Sequence, residues 1–307
     1  MSTHRNLGLF LALAVLWGTA FMAIKAGLES FGSAPVLFAA VRYDVAGAIM
    51  LAYAALTVDR WRPRGRSEWT QVIIGGVLLI AAYHAFLFVG ERHTTSAVAA
   101  IIVSLSPVLT TGFARALLPS ERLSATGIAG LLIGLLGVGI LTDPGAGALT
   151  DPAAVGEVLI LMATLSFSLG TVLTRTVEAD LPTETMEAWS MVIGAGVMHL
   201  VSVALGEDPS TVALTPQAIA ALAYLSLGAS ALGFLIYFDL LERLGPIEIN
   251  LVSYVAPVFA ALSGWVFLAE TLTPTTVLGF LVIFAGFWLI KREALASEVD
   301  RLRRRLR

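Results

Sequence analysis

The chain has 307 residues, of which 57% are hydrophobic and only 13% charged, with a mean hydropathy of +0.86. A soluble domain carries about 25% charged residues, so this chain lacks the polar side chains to coat a water-facing surface, and a soluble fold is excluded. Its net charge of −3 says little because the charges are sorted by position, while the absence of cysteine excludes disulfides and thiolate metal sites.

A spanning helix needs about 20 mostly apolar residues. Cutting the chain at charge clusters and at Pro, Gly and Asp punctuation predicts ten: Leu7–Ile24, Ala34–Val58, Thr70–Gly90, Thr95–Leu118, Ser124–Thr142, Ala153–Thr174, Glu184–Leu205, Pro216–Asp239, Pro246–Leu268 and Pro274–Lys291. The fold class expected is therefore an all-α integral membrane protein. The polar head Met1–Asn6 resembles the start of a signal peptide, but the apolar run continues through Trp17 into Lys25 without a small-residue cleavage site, so it reads as a retained first helix.

Orientation follows from Lys and Arg, which concentrate on the cytoplasmic side. With the N-terminus inside, sixteen of the nineteen basic residues fall in inner segments: Arg5, the Arg60–Arg66 cluster, Arg115, Arg122, Arg175, Arg243 and the tail. Lys25 and Arg92 alone fall outside, and Arg42 lies within a helix. Both termini are expected in the cytoplasm and the loop Thr142–Pro152 outside, in a bacterial inner membrane, to which the lack of disulfides is suited.

The chain also repeats itself. Glu91-Arg92 through Ser104-Leu105-Ser106-Pro107-Val108 recurs as Glu242-Arg243 through Val255-Ala256-Pro257-Val258. Glu121-Arg122-Leu123-Ser124 matches Glu270-Thr271-Leu272-Thr273, Gly130 matches Gly279, Gly137 matches Gly286, and Lys25 lies opposite Arg175, at an offset near 150 residues. Five spans per repeat is an odd number, so the second half enters the membrane from the opposite side. Two inverted five-helix repeats, over 1–142 and 153–291 with a basic cytoplasmic tail over 292–307, are the expected organisation. Such repeats offer two exchangeable arrangements around a shared central site.

The first helix reads Leu16-Trp17-Gly18-Thr19-Ala20-Phe21. The fourth and fifth carry Ser104-Leu105-Ser106-Pro107-Val108 and Glu121-Arg122-Leu123, and the ninth and tenth Ala256-Pro257-Val258 and Leu268-Ala269-Glu270-Thr271-Leu272. These segments resemble the drug/metabolite transporter superfamily in its EamA-type branch of two tandem five-helix units, and Tyr83-His84 in the third helix is similar to the aromatic amino-acid exporter (YddG-type) group. The resemblance implies a secondary transporter working outward, and a central cavity lined by helices one, three, four, six, eight and nine.

Candidate site residues each carry two readings. Pro107 and Pro257 sit inside helices four and nine at matching repeat positions, where proline frees the carbonyl four residues back, that of Val103 or Ser253. They mark either structural kinks or the binding site. Trp17, with Phe21 one turn later, either packs against a neighbour or forms an aromatic wall with Tyr83, Phe86, Phe167, Tyr237 and Tyr254. His84 is either a structural hydrogen-bonding group or a proton carrier, and the resemblance favours a substrate-facing role. Arg42 either braces a neighbouring helix or anchors a substrate carboxylate, while Asp44, two residues on, points to a different face. Ser104, Ser106, Asn250 and Ser253 supply uncharged polar groups. Gly127, Gly130, Gly134 and Gly137 form one smooth face for close packing, within the chain or between subunits, and the tail carries Leu295, Val299, Leu302 and Leu306 at heptad spacing.

No phosphate-gripping Gly-rich loop with Lys-Ser/Thr is present, so ATP hydrolysis is not encoded. Neither a zinc-protease His-Glu pair nor a Gly-x-Ser-x-Gly elbow occurs. The expectation is a carrier with no cofactor, no metal, no catalytic residue and no nucleic-acid partner, embedded in lipid as a monomer or homodimer. Its expected substrates are amino acids, neutral and aromatic ones included. Cationic drugs and purines or nucleosides are alternative cargoes, and a membrane enzyme or a channel the rivals from other classes.

Overall fold

The structure is a computed structural model that describes residues 2–118, 125–142, 151–244 and 249–305. The Glu121-Arg122-Leu123-Ser124 segment, the loop over 143–150, Pro246 and the side chains of the tail lie outside the described residues. Among those described there are helices and turns only, arranged as ten helical passes: α1 Ser2–Phe31, α2 Pro35–Thr57, α3 Gly65–Glu91, α4 Ser96–Leu117, α5 Ala125–Thr142, α6 Pro152–Thr176, α7 Thr183–Ala204, α8 Pro216–Leu244, α9 Val252–Leu268 and α10 Pro274–Arg305. Seven of them are long and apolar enough to cross a bilayer by length and composition, and α5, α9 and α10 carry shorter apolar stretches.

Three boundaries differ from expectation for physical reasons. Helix α1 continues past Ile24 to Phe31, because Lys25 is not pushed into water: its ammonium donates to the carbonyls of Glu91, Arg92 and Thr94 at 2.9, 3.2 and 2.7 Å. Helix α4 breaks at Ser104-Leu105 and restarts at Ser106, with Pro107 near the new N-terminus, where its missing N–H is not needed. Helix α9 starts at Val252, after a turn at Asn250-Leu251, so its proline stays inside an unbroken helix. The interruptions upstream of the two prolines therefore do not fall at matching repeat positions.

A different pair of irregularities does repeat. Gly75–Ala82 of α3 and Tyr224–Leu232 of α8 are π-helical. π-helix is rare and concentrates at functional sites. Each wide segment ends directly before the residues that project centrally, Tyr83-His84 in α3 and Gly233-Phe234 in α8.

Packing obeys the repeat. Helix α5 lies along α10, α2 along α7, and α4 touches α9. The contact of α1 with α9 is matched by that of α6 with α4, α3 with α6 by α8 with α1, and α3 with α7 by α8 with α2. Each of these pairs maps onto itself or another on exchanging the five-helix halves, as a two-fold axis in the membrane plane requires. One contact shows this at atomic detail. A Cβ on Gly18 would overlap the Ala256 carbonyl and lie 2.7 Å from Phe259 Cβ. At the matching place, Ser168 Oγ donates to the Ser106 carbonyl at 3.2 Å. The small face of α5 is spent inside the chain, against Gly279, Ile283 and Gly286 of α10.

Polar side chains tie the helix ends. At the Lys25 end, Glu270 accepts from Ser96 N and Oγ and so caps α4, while Glu207 accepts from Val36 N and Leu37 N and caps α2. The acidic residue of the Leu268–Leu272 segment is thus a helix cap. At the opposite, Arg60 end, Arg60 pairs with Glu68 and Asp180, and Trp189 Nε1 donates to the Trp61 carbonyl at 2.9 Å.

Candidate functional site

At the centre of the bundle Arg42 of α2 is buried, and it faces inward. Its Nε donates to Ser230 Oγ of α8 at 3.2 Å, and its guanidinium lies 5.1 Å from the Tyr43 ring centroid and 6.0 Å from that of Phe88. The two Nη groups donate to no residue among those described, yet neither is sealed from open space. An always-charged fork with unused donors in an aromatic setting is suited to a carboxylate. The charge of Arg42 reaches Tyr83, His84 and Tyr224.

His84 is held on both nitrogens. Nδ1–H donates to the Ile80 carbonyl at 2.8 Å within its own helix, so Nε2 is left to accept from the Tyr43 hydroxyl at 2.8 Å. That arrangement fits the neutral Nδ1–H tautomer, with His84 positioning the Tyr43 hydroxyl; Nε2 is then the nitrogen that would take a proton, the hydroxyl turning to accept.

The aromatic residues fall into two groups. Trp17 packs against Phe234 and Tyr237, with centroids 5.9 and 5.5 Å apart, and its Nε1 donates to the Ala229 carbonyl at 3.1 Å, at the π-helical part of α8. Tyr83 packs against Phe167 at 5.3 Å and His84 at 4.5 Å. Phe167 shares a helix face with the fully buried Ile160 and Thr164, yet is 37% exposed. The lipid-facing stripe of α6, with Val155, Val158 and Met162, lies on the other side, so the space beside Phe167 is interior. The two π-helical segments thus flank a polar-aromatic centre.

Glu187 of α7 belongs to this centre and was not singled out by sequence reasoning. It lies on the face opposite the exposed Val192, Leu200 and Val203 and is half-buried, and its charge reaches the hydroxyls of Tyr43 and Tyr237. The available signal was an acidic residue inside an apolar helix with no basic residue one turn away. Tyr43 was missed as well, hidden beside Arg42.

Other expected residues lie elsewhere. Phe21 is in the packed core, and Phe86 is 38% exposed. Tyr254 turns towards α10, stacking on Phe287 at 4.2 Å, because the α9 face carrying it packs there instead of on α8. Ser104 spends its hydroxyl on the Ile101 carbonyl, and Ser106 donates to the Val103 carbonyl that Pro107 was expected to free, so that carbonyl is not left open. Asn250 is exposed in its turn and Ser253 half-buried beside it; Pro257 is buried within α9. Asp44 points out of the bundle, paired with His199 of α7 at 2.8 Å. Their pairing is what makes ionisable groups tolerable on that face.

Ten helical passes in two inverted repeats, closing on an interior centre with a guanidinium that has no ionic partner among the described residues, define a multi-pass membrane transporter of small molecules. Sequence comparison gives the particular kind. The EamA-like transporter family matches the chain twice, over residues 5–142 and 154–292, and the chain belongs to that family, within the drug/metabolite transporter superfamily. It is similar to the Escherichia coli protein YedA, described as an uncharacterized inner membrane transporter, with 29% identity over 91% of this chain and 88% of that one. A chloroplastic WAT1-related protein of Arabidopsis thaliana shares 27% over 92% and 70%, and the Bacillus subtilis transporter YvbV 25% over 93% and 91%. A solved crystal structure superposes with a TM-score of 0.63 at 23% identity, covering 95% of this chain and 98% of the other, which supports the fold. YedA and YvbV are described as transporters, and the family that matches is one of transporters. The finer likeness to aromatic amino-acid exporters rests on Tyr83-His84 alone.

Proposed function

We propose that the chain is an alternating-access carrier that exports small zwitterionic metabolites, neutral amino acids first, with the repeats over 1–142 and 153–291 rocking about the central site. The observation that supports this reading is Arg42, buried with two unused guanidinium nitrogens among aromatic rings. The carboxylate of the substrate goes to Arg42; its ammonium goes to the faces of Trp17 and Tyr237, where cation–π attraction contributes on the order of 0.5–2 kcal/mol. Side chains meet a mostly uncharged wall, where one methylene is worth only about 1–3 kcal/mol, so specificity is broad. In purified protein in liposomes, several chemically distinct neutral amino acids should each inhibit flux of one labelled amino acid at similar concentrations. Inhibition by cations lacking a carboxylate, and by nothing else, would replace this reading with drug efflux, in which Glu187 is the anchor.

Both termini and the Arg60 end are cytoplasmic in this proposal, supported by the distribution of basic residues. The chain has no cysteine of its own, so a single one is diagnostic. Ser210→Cys, in the exposed loop between α7 and α8, is expected to react with an impermeant maleimide added outside intact cells. Labelling of this site only after the membrane is opened would reverse the orientation.

A further inference from the structure

The third helix ends on a carboxylate that the central site does not use. Glu91 is 0% exposed, and neither of its side-chain oxygens has a hydrogen-bond partner. It lies under the Lys25 latch, since Lys25 holds the backbone carbonyl of Glu91 together with those of Arg92 and Thr94. The charges that reach it are those of Lys25 on α1, Glu270 in the loop capping α4, and Arg42 on α2. On α6, Glu157 follows Gly156, whose carbonyl would lie 2.6 Å from a Cβ on Gly90. His93 and Arg92 complete the titratable or charged groups of the latch loop. Lys25, the nearest counter-charge, spends its hydrogens on the three carbonyls.

The repeat supplies a comparison within the same molecule. Glu242-Arg243 closes α8 as Glu91-Arg92 closes α3, yet Glu242 is exposed while Glu91 is fully enclosed. Likewise Arg175, which matches Lys25, is exposed. The two ends of the molecule are therefore in different states. Inverted repeats exchange their conformations during transport, so the open surroundings of Glu242 stand for those Glu91 meets when the Lys25 end opens.

We propose that Glu91 is a proton-binding site that couples the opening of the Lys25 end to solution pH. An ionised carboxylate without partners is costly to bury, whereas the neutral acid tolerates enclosure. Closing the latch takes up one proton from the solution on the Lys25 side, converting the carboxylate to the acid; opening returns it. A proton then acts as any ligand does, shifting the equilibrium by its different affinity for the two states, so raising the pH favours the open latch. The exchange of the two ends rests on the alternating-access reading above, and placing this end outside the cell on its orientation; neither depends on which substrate is carried.

The test needs no substrate. Thr94→Cys puts a thiol in the latch, at a position that is 7% exposed here. Its rate of reaction with an impermeant maleimide in proteoliposomes, divided by that of Ser210→Cys to cancel thiol chemistry, reports opening. Between about pH 5 and 9, which spans solvated and buried carboxylates, this ratio should rise by up to about tenfold per pH unit. With Glu91→Gln added it should stay low and flat, and with Glu91→Asp, which keeps a carboxylate, it should rise again. A flat ratio in the parent, or a rise that survives in Glu91→Gln, would overturn the proposal. Amino-acid flux measured in the same vesicles separates the two readings, because absent flux with pH-linked labelling removes the substrate and leaves the proton site.

Discussion

Arg42→Met is expected to lower amino-acid flux by about a hundredfold or more while leaving the protein folded. The size comes from the state of the charge. Truncating one partner of a buried, hydrogen-bonded charge pair costs about 2–5 kcal/mol, and here the lost partner would strand a substrate carboxylate among Tyr43, Tyr83 and Trp17. The stability side runs the other way. Arg42 has one side-chain partner, Ser230, and two unused nitrogens, so its desolvation is poorly offset and an apolar residue of similar volume is tolerated. Met retains the apolar bulk of the stem. Arg42→Lys keeps the charge but not the fork, and should recover only part of the flux. Liposome flux and the melting temperature in detergent, measured on both variants, decide the matter. Parent-like flux in Arg42→Met would remove the residue from the site, and a collapse in melting temperature would make it structural.

Much of the fold was legible because a bilayer enforces long apolar segments and sorted charge. The glycines of α5 were readable as a packing face by spacing, and so was the pairing of Lys25 with Arg175 by offset. Burial direction was less legible. Arg42 and Asp44 are two residues apart, and composition alone does not say that the first points in and the second out to His199. Tyr254 shares its helix with Pro257, yet rotation of α9 sends it to Phe287. The π-helical segments were invisible, since an apolar run such as Gly75–Ala82 has the same hydropathy whichever hydrogen-bond register it adopts, and a wider turn changes which residues share a face. Glu187 and Tyr43 come together only across α2, α7 and α8. Pro107 was visible, but that Ser106 would satisfy the Val103 carbonyl depends on a rotamer that sequence does not report.

Gly286→Val and Gly137→Val should each destabilise the protein by about 3 kcal/mol or more, lowering the melting temperature on the order of 5–10 °C. A Cβ at Gly286 would lie 2.6 Å from the Gly130 carbonyl oxygen and 2.8 Å from Gly134 N. At Gly137 it would lie 2.8 Å from Ile283 N and 2.9 Å from the Gly279 carbonyl oxygen. These neighbours are backbone, so no rotamer change relieves the overlap and the two helices must part. Lipid tails offer no hydrophobic drive to bring them back, because helix association in a bilayer rests on close packing. Valine also forces more separation than alanine, through its second branch at Cβ. The contrast is Gly196 on the outer face of α7, where a Cβ meets nothing within 4 Å. Gly196→Ala should be neutral or stabilising by about 0.5–1 kcal/mol, through the lower backbone entropy of the unfolded chain. Thermal melts of the three variants in one detergent make the comparison. Equal melting temperatures for Gly286→Val and Gly196→Ala would show that α5 and α10 do not approach through their glycines.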